Sequence, residues 1–100
     1  MRLVDFKFST ADYDMQRPLF VAVDDKPQPV VGLTKSPTDR RLVLDLDLTQ
    51  AGRPLTLDAF VTRTQKLPGS WRIAVQTAIA SPTTRELFGY RLVDEKIMFM

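Results

Sequence analysis

The sequence predicts a mainly β fold, a small antiparallel β-sandwich or barrel, and three observations carry that reading. Seven prolines and four glycines divide the hundred residues into short pieces, the spacing of many short strands joined by turns. Most pieces alternate apolar with polar residues, the period of a strand with one buried face. The composition is 44% apolar and 26% charged, which is that of an ordinary globular chain. A chain of this length holds one hydrophobic core, so residues 1–100 form a single β domain. No internal repeat is apparent.

Taken in order, Arg2 to Phe8 sets Val4, Phe6 and Phe8 against Leu3, Asp5 and Lys7, which predicts a first strand. Leu19 to Asp24 is an apolar run closed by the polar turn at 24–29. Val30 to Thr34 returns, so 19–34 resembles a hairpin. Arg41 to Leu48 is the clearest strand: Leu42, Leu44, Leu46 and Leu48 face one way while Arg41, Asp45 and Asp47 face the other. On a helix those leucines would spread around the circumference. Leu55, Leu57, Ala59 and Val61 alternate against Thr56, Asp58, Phe60 and Thr62 as a strand. The same stretch also reads as a helix capped by Thr56 and stopped at Pro68-Gly69. Trp71 to Ile79 carries a similar ambiguity, with Ser70 as the cap of the helical reading. The β-branched and aromatic content favours strands at both places.

Ser81 to Glu86 has the chemistry of a helical turn, with Thr83 and Glu86 as a capping box and Gly89 as its end. The fold therefore has room for one short helix, at 57–67 or 83–88. Phe88, Tyr90 and Leu92 alternate in a last long strand. Ile97-Met98-Phe99-Met100 is apolar throughout, which predicts burial of this tail in the domain or against a partner.

The chain has no Cys and no His, and no Asn appears along it. That excludes disulfides, zinc sites, thiol nucleophiles and N-glycosylation, and it removes the commonest general base. Ser9, Ser36, Ser70 and Ser81 sit in no nucleophile context, and the glycines form no phosphate loop. The expectation is a protein that is not an enzyme, with no cofactor and no small-molecule substrate. Asp45 and Asp47 project the same way from one strand and would suit Mg²⁺ or Ca²⁺ if Asp58 or Asp94 came alongside. Pairing with Arg63, Arg72 or Arg91 is the simpler reading, so no metal site is expected. No signal-peptide core is present, and the nearly apolar run Ile73 to Ala80 is too short for a membrane span. These features predict a soluble chain, cytoplasmic or within a viral particle, with no membrane partner and no secretion through a signal peptide.

Two function classes remain. The favoured one is a non-enzymatic interaction or structural subunit of a larger assembly, such as a virion component or an inhibitor that masks a partner surface. Its basis is surplus apolar surface: if Leu42 to Leu48, Leu57 to Val61 and Ile73 to Ile79 fill one core, Leu3, Phe20, Phe60 and Val93 fall on opposite faces. Met98, Phe99 and Met100 add an apolar tail, and a covered surface, by a protein partner or by self-association, is the natural use of such an excess. The alternative is a single-stranded nucleic-acid-binding barrel. Its residues would be Arg40, Arg41, Arg63, Lys66, Arg72, Arg85 and Arg91, with Trp71, Phe60 and Tyr90 as stacking platforms. The net charge of only +2 and the nearby acids Asp45, Asp47 and Asp58 speak against it.

Overall fold

The computed structural model describes residues 1–47, 52–76 and 84–100. Its elements run α1 (Leu3–Ser9), β1 (Leu19–Val23), β2 (Lys26–Ser36), β3 (Arg41–Leu46), α2 (Leu57–Arg63), β4 (Arg72–Gln76), β5 (Thr84–Glu86), β6 (Tyr90–Val93) and β7 (Lys96–Phe99). The strands form one curled sheet in the order β5-β4-β3-β2-β1-β7-β6, a half-barrel carrying two short helices. The mostly β architecture follows from the alternation in the sequence. The ladders are not all antiparallel, because β1 lies parallel to β7 and β3 parallel to β4.

Two segments read as strands are helices. In 3–9 the alternating trio Val4, Phe6 and Phe8 misleads, because only Phe6 is buried and Phe8 is 85% exposed. The residues that turn inward are Leu3, Phe6 and Thr10, the i, i+3, i+7 spacing of one helical face. In 57–63 the inward residues are Leu57, Phe60 and Thr64, and the Thr56 hydroxyl accepts the Ala59 N–H at 3.2 Å as the N-cap. The helical alternative is thus the one that forms, over Leu57–Arg63 and not the whole of 57–67. The capping box over 81–86 falls partly outside the described residues, and its described part, Thr84–Glu86, is strand. Arg72–Gln76 is a strand as expected, while 77–79 lie outside the described residues. The hairpin at 19–34 forms with a turn of two residues, Asp24-Asp25, rather than the six expected.

The expectation of no repeat is corrected by the pairing between the halves of the chain. The Leu3 N–H donates to Trp71 O (2.8 Å) and the Leu57 N–H to Arg17 O (2.9 Å). Val4 donates to Gly69 and Asp58 to Met15, while Ile73 donates to Met1 and Leu19 to Leu55. Bridges join Arg2 to Arg72 and Pro18 to Thr56. In every case the two contacts are exchanged by a shift of 54 positions. An approximate two-fold therefore relates the first half, α1-β1-β2-β3, to the second, α2-β4-(β5, β6)-β7. The long strand β2 pairs with β1 through its start and with β3 after an irregularity between Val30 and Gly32. Its counterpart is the stretch from β5 to β6, which crosses between the sheet edges at Leu87-Phe88-Gly89.

The core obeys the same symmetry. Its fourteen fully buried apolar residues fall into seven matched pairs: Leu3 and Leu57, Phe6 and Phe60, Leu19 and Ile73, Val21 and Val75, Val30 and Leu87, Leu42 and Ile97, Leu44 and Phe99. Phe6 and Phe60 meet each other edge to face at 5.1 Å. The Thr10 and Thr64 hydroxyls each donate to the carbonyl four residues back, Phe6 O and Phe60 O, at 2.8 Å. At Gly69 the two halves touch closely, since a Cβ there would sit 2.8 Å from the Val4 Cβ. Lys7 Nζ donates to Thr64 O (2.9 Å) at the C-terminal end of α2, where carbonyls gather negative charge. Burial pushes the Lys7 ammonium down from its ordinary value.

Two variants test this frame. Phe6→Ala and Phe60→Ala should each cost about 3–5 kcal/mol in urea denaturation, with comparable losses because the two rings fill matched places. The turns Asp24-Asp25 and Asp94-Glu95 hold left-handed φ values of 51°, 62°, 50° and 68°. Glycine suits the second position of such turns, so Asp25→Gly and Glu95→Gly should each stabilise by up to about 1 kcal/mol in the same measurement.

Candidate functional site

Among the described residues, the two-fold gives positions on the paired strands and helices counterparts in matched backbone settings. The outer side of β3 and β4 carries Arg41, Val43, Asp45, Arg72 and Ala74, since Leu42, Leu44, Ile73 and Val75 face the core. Here the Arg41 guanidinium reaches the Thr84 hydroxyl (3.1 Å) and Arg72 Nε approaches Glu86 (3.7 Å). The two arginine stems run toward β5, and Ala74 and Val43 are buried, a use of long cationic chains as covers. The Thr34 hydroxyl donates to Asp45 at 2.9 Å. This face is small-residued, polar and closed by its own side chains.

The outer side of β1 and β7 is built differently. Phe20 stands where the other face has Ala74, Met98 where it has Val43, Pro29 and Pro27 where it has Glu86 and Thr84, and Val93 where it has Ser36. Phe20 lies beside Met98 and Pro29 in one register row, and Arg91 completes the row on β6. Phe20, Ala22 and Val93 are half-buried, Pro27 is exposed, and Met98 keeps 8% exposure. One groove is lined by Ala22, Pro27, Val93, Met98 and the charges Asp25, Asp94, Arg91 and Lys96. A second, lined by Phe20, Pro29, Gly52 and Pro54, shares Pro27 and Lys96 with it. Lys96 Nζ lies over the Phe20 ring at 5.1 Å. Pro27 and Pro29 fall between the hydrogen-bonded pairs of the β1–β2 hairpin, so their nitrogens face the far edge and cannot donate to a further strand.

Of the seven apolar residues expected at an interface, Phe20, Val93 and Met98 come together here, and Met100 follows at the end of β7 with 39% exposure. Leu3, Phe60 and Phe99 do not: all three are fully buried, because the helices turn Leu3 and Phe60 inward and the β7 alternation sends Phe99 to the core. Sequence reasoning missed Phe8 and Phe88, 85% and 77% exposed. Phe8, on α1, matches Thr62 of α2, so the inward helical spacing was the signal that would have placed it outside.

The basic residues expected at a nucleic-acid surface divide. Arg41 and Arg72 are register partners, and Arg72 N–H donates to Arg40 O. Arg2, not anticipated, adjoins Arg72. Arg91 lies on the opposite face, and Arg63 and Lys66 lie at and beyond the end of α2. Trp71 keeps 8% exposure, Phe60 is in the core, and Tyr90 packs edge to face on Phe6 at 5.2 Å. Among the described residues no group of acids stands close enough to hold a metal ion. Asp45 binds Thr34, and Asp47 accepts the Gly52 N–H, in place of the expected arginine partners. Tyr90 hydroxyl bonds Ser9 Oγ at 2.7 Å, and the neighbouring Tyr90 phenol pushes Tyr13 up. No helix among the described residues is long and apolar enough to cross a membrane. No family model, curated protein or solved structure matches this chain.

Arg2 grips Asp5 with two donors, at 2.9 and 3.1 Å, and this hydrogen bond holds the Asp5 carboxyl below its ordinary value. The contact adds stability above the unfolded aspartate range and loses it as pH falls through the lowered folded value. In a carboxyl NMR titration Asp5 should titrate below about 3.9, and Arg2→Gln should return it toward that value.

Proposed function

We propose that this chain is a non-enzymatic interaction module that docks a partner protein on the outer face of β1 and β7. One observation carries the reading: a single chain presents the same sheet twice, closed by its own polar side chains on one side and lined with Phe20, Pro27, Val93 and Met98 on the other. The fold is built equally well with Ala74, Thr84, Ser36 and Val43 in those places, so architecture does not require the aromatic and proline anchors. Large apolar anchors ringed by charges are the composition of a docking surface. The charges in the groove balance, Asp25 and Asp94 against Arg91 and Lys96, which favours an apolar, near-neutral partner surface. An assembly subunit and an inhibitor that masks a partner are two forms of this role. The arginines over β3 and β4 lend the nucleic-acid alternative little, since their arms are engaged across their own sheet and Trp71 is packed away.

The test uses the symmetry as its control. A photo-reactive side chain placed at Phe20 should give one discrete protein adduct in the cell of origin, and Met98→Asp should weaken it by about tenfold or more. The same group at Ala74 should give none. Equal adducts from both positions, or none from Phe20, would overturn the reading.

A further inference from the structure

Where β1 and β7 begin, a cleft at the end of the half-barrel is lined by Arg17 and Lys96 together with Asp14, Asp94 and Glu95. We infer that this cleft binds a small zwitterion, its carboxylate held by Arg17 and Lys96 and its ammonium by Asp94 and Glu95. Neither cation makes an ion pair among the described residues. Each is instead steadied by a ring: the Arg17 guanidinium carbon lies 5.9 Å from the Tyr13 centroid, and Lys96 Nζ lies 5.1 Å from that of Phe20. A cation held on a ring face keeps its charge, which leaves it able to attract an anion. Arg17 Nε is buried with no hydrogen-bond partner, an unusual state for so strong a donor.

The fold does not impose this charge. The position matched to Arg17 is Trp71, which fills its place with a packed indole. The acids are equally unforced. Asp94 and Glu95 form a turn with φ of 50° and 68°, where Gly would be easier than Glu, and neither pairs with a cation among the described residues. A cleft carrying both signs repels a polyanion and fits one small molecule that bears both charges, as an α-amino acid does. The inference does not rest on the docking reading, but the cleft and the docking groove share Asp94 and Lys96, and Lys96 also covers Phe20, so occupancy should register on that ring.

The test is an NMR titration of the intact chain with glycine, and with acetate or methylammonium as the two half-molecules. Glycine should shift the Arg17 Nε–H, Lys96 and Phe20 ring signals at concentrations where neither half-molecule does. Arg17→Met should weaken glycine binding by about tenfold or more, and Glu95→Gln should weaken it less. Arg17→Trp, which copies the matched position, provides a second folded variant that should not bind. Acetate or methylammonium binding as tightly as glycine, no response to glycine, or an undiminished response in either Arg17 variant would overturn the inference.

Discussion

Each helix begins on the other half of the chain, and this exchange is the constraint on which the rest of the molecule depends. The first N–H groups of a helix have no partner within it. In α1 they reach Trp71 and Gly69, and in α2 they reach Arg17 and Met15. The parallel ladders β1–β7 and β3–β4 are likewise made between halves. Neither half can satisfy its own backbone, so the core closes only when both are in place. Phe6 against Phe60 is the point where the exchange meets.

A frame used twice separates what the fold needs from what the surface does. Inside, the seven pairs keep size and apolarity while changing identity modestly, as close packing demands. Outside, the pairs diverge: Phe20 against Ala74, Met98 against Val43, Val93 against Ser36, Phe8 against Thr62. A small residue under a long arginine and a large residue left half-covered are two ways of finishing one sheet. Arg41 and Arg72 spend their stems on their own molecule. Phe20 carries the Lys96 ammonium over its ring, and Pro27 and Val93 stay partly or fully open to solvent.

Parts of this were readable from the chain. Leu42, Leu44 and Leu46 alternate unmistakably, and Thr56 with Leu57 and Phe60 carried a helical signal beside the strand one. The repeat was also present, as Leu-x2-Phe-x3-Thr at Leu3, Phe6, Thr10 and again at Leu57, Phe60, Thr64. It stayed hidden because the intervening surface residues share almost nothing, and buried pairs such as Leu44 and Phe99 match in apolarity rather than in letter. At 2–8 an accidental alternation of Val4, Phe6 and Phe8 overlay the helical spacing, and short segments do not resolve the two periods.

Local residues by themselves determined the β-rich class, a turn after Val23, the cap at Thr56 and the chemistries closed to a chain without Cys or His. Those properties depend on neighbours a few positions apart. Tertiary structure alone decided that Phe99 is interior while Phe20 and Val93 are not. Alternation gives a strand two faces, and only closure of the sheet around the paired helices chooses which of them becomes the inside.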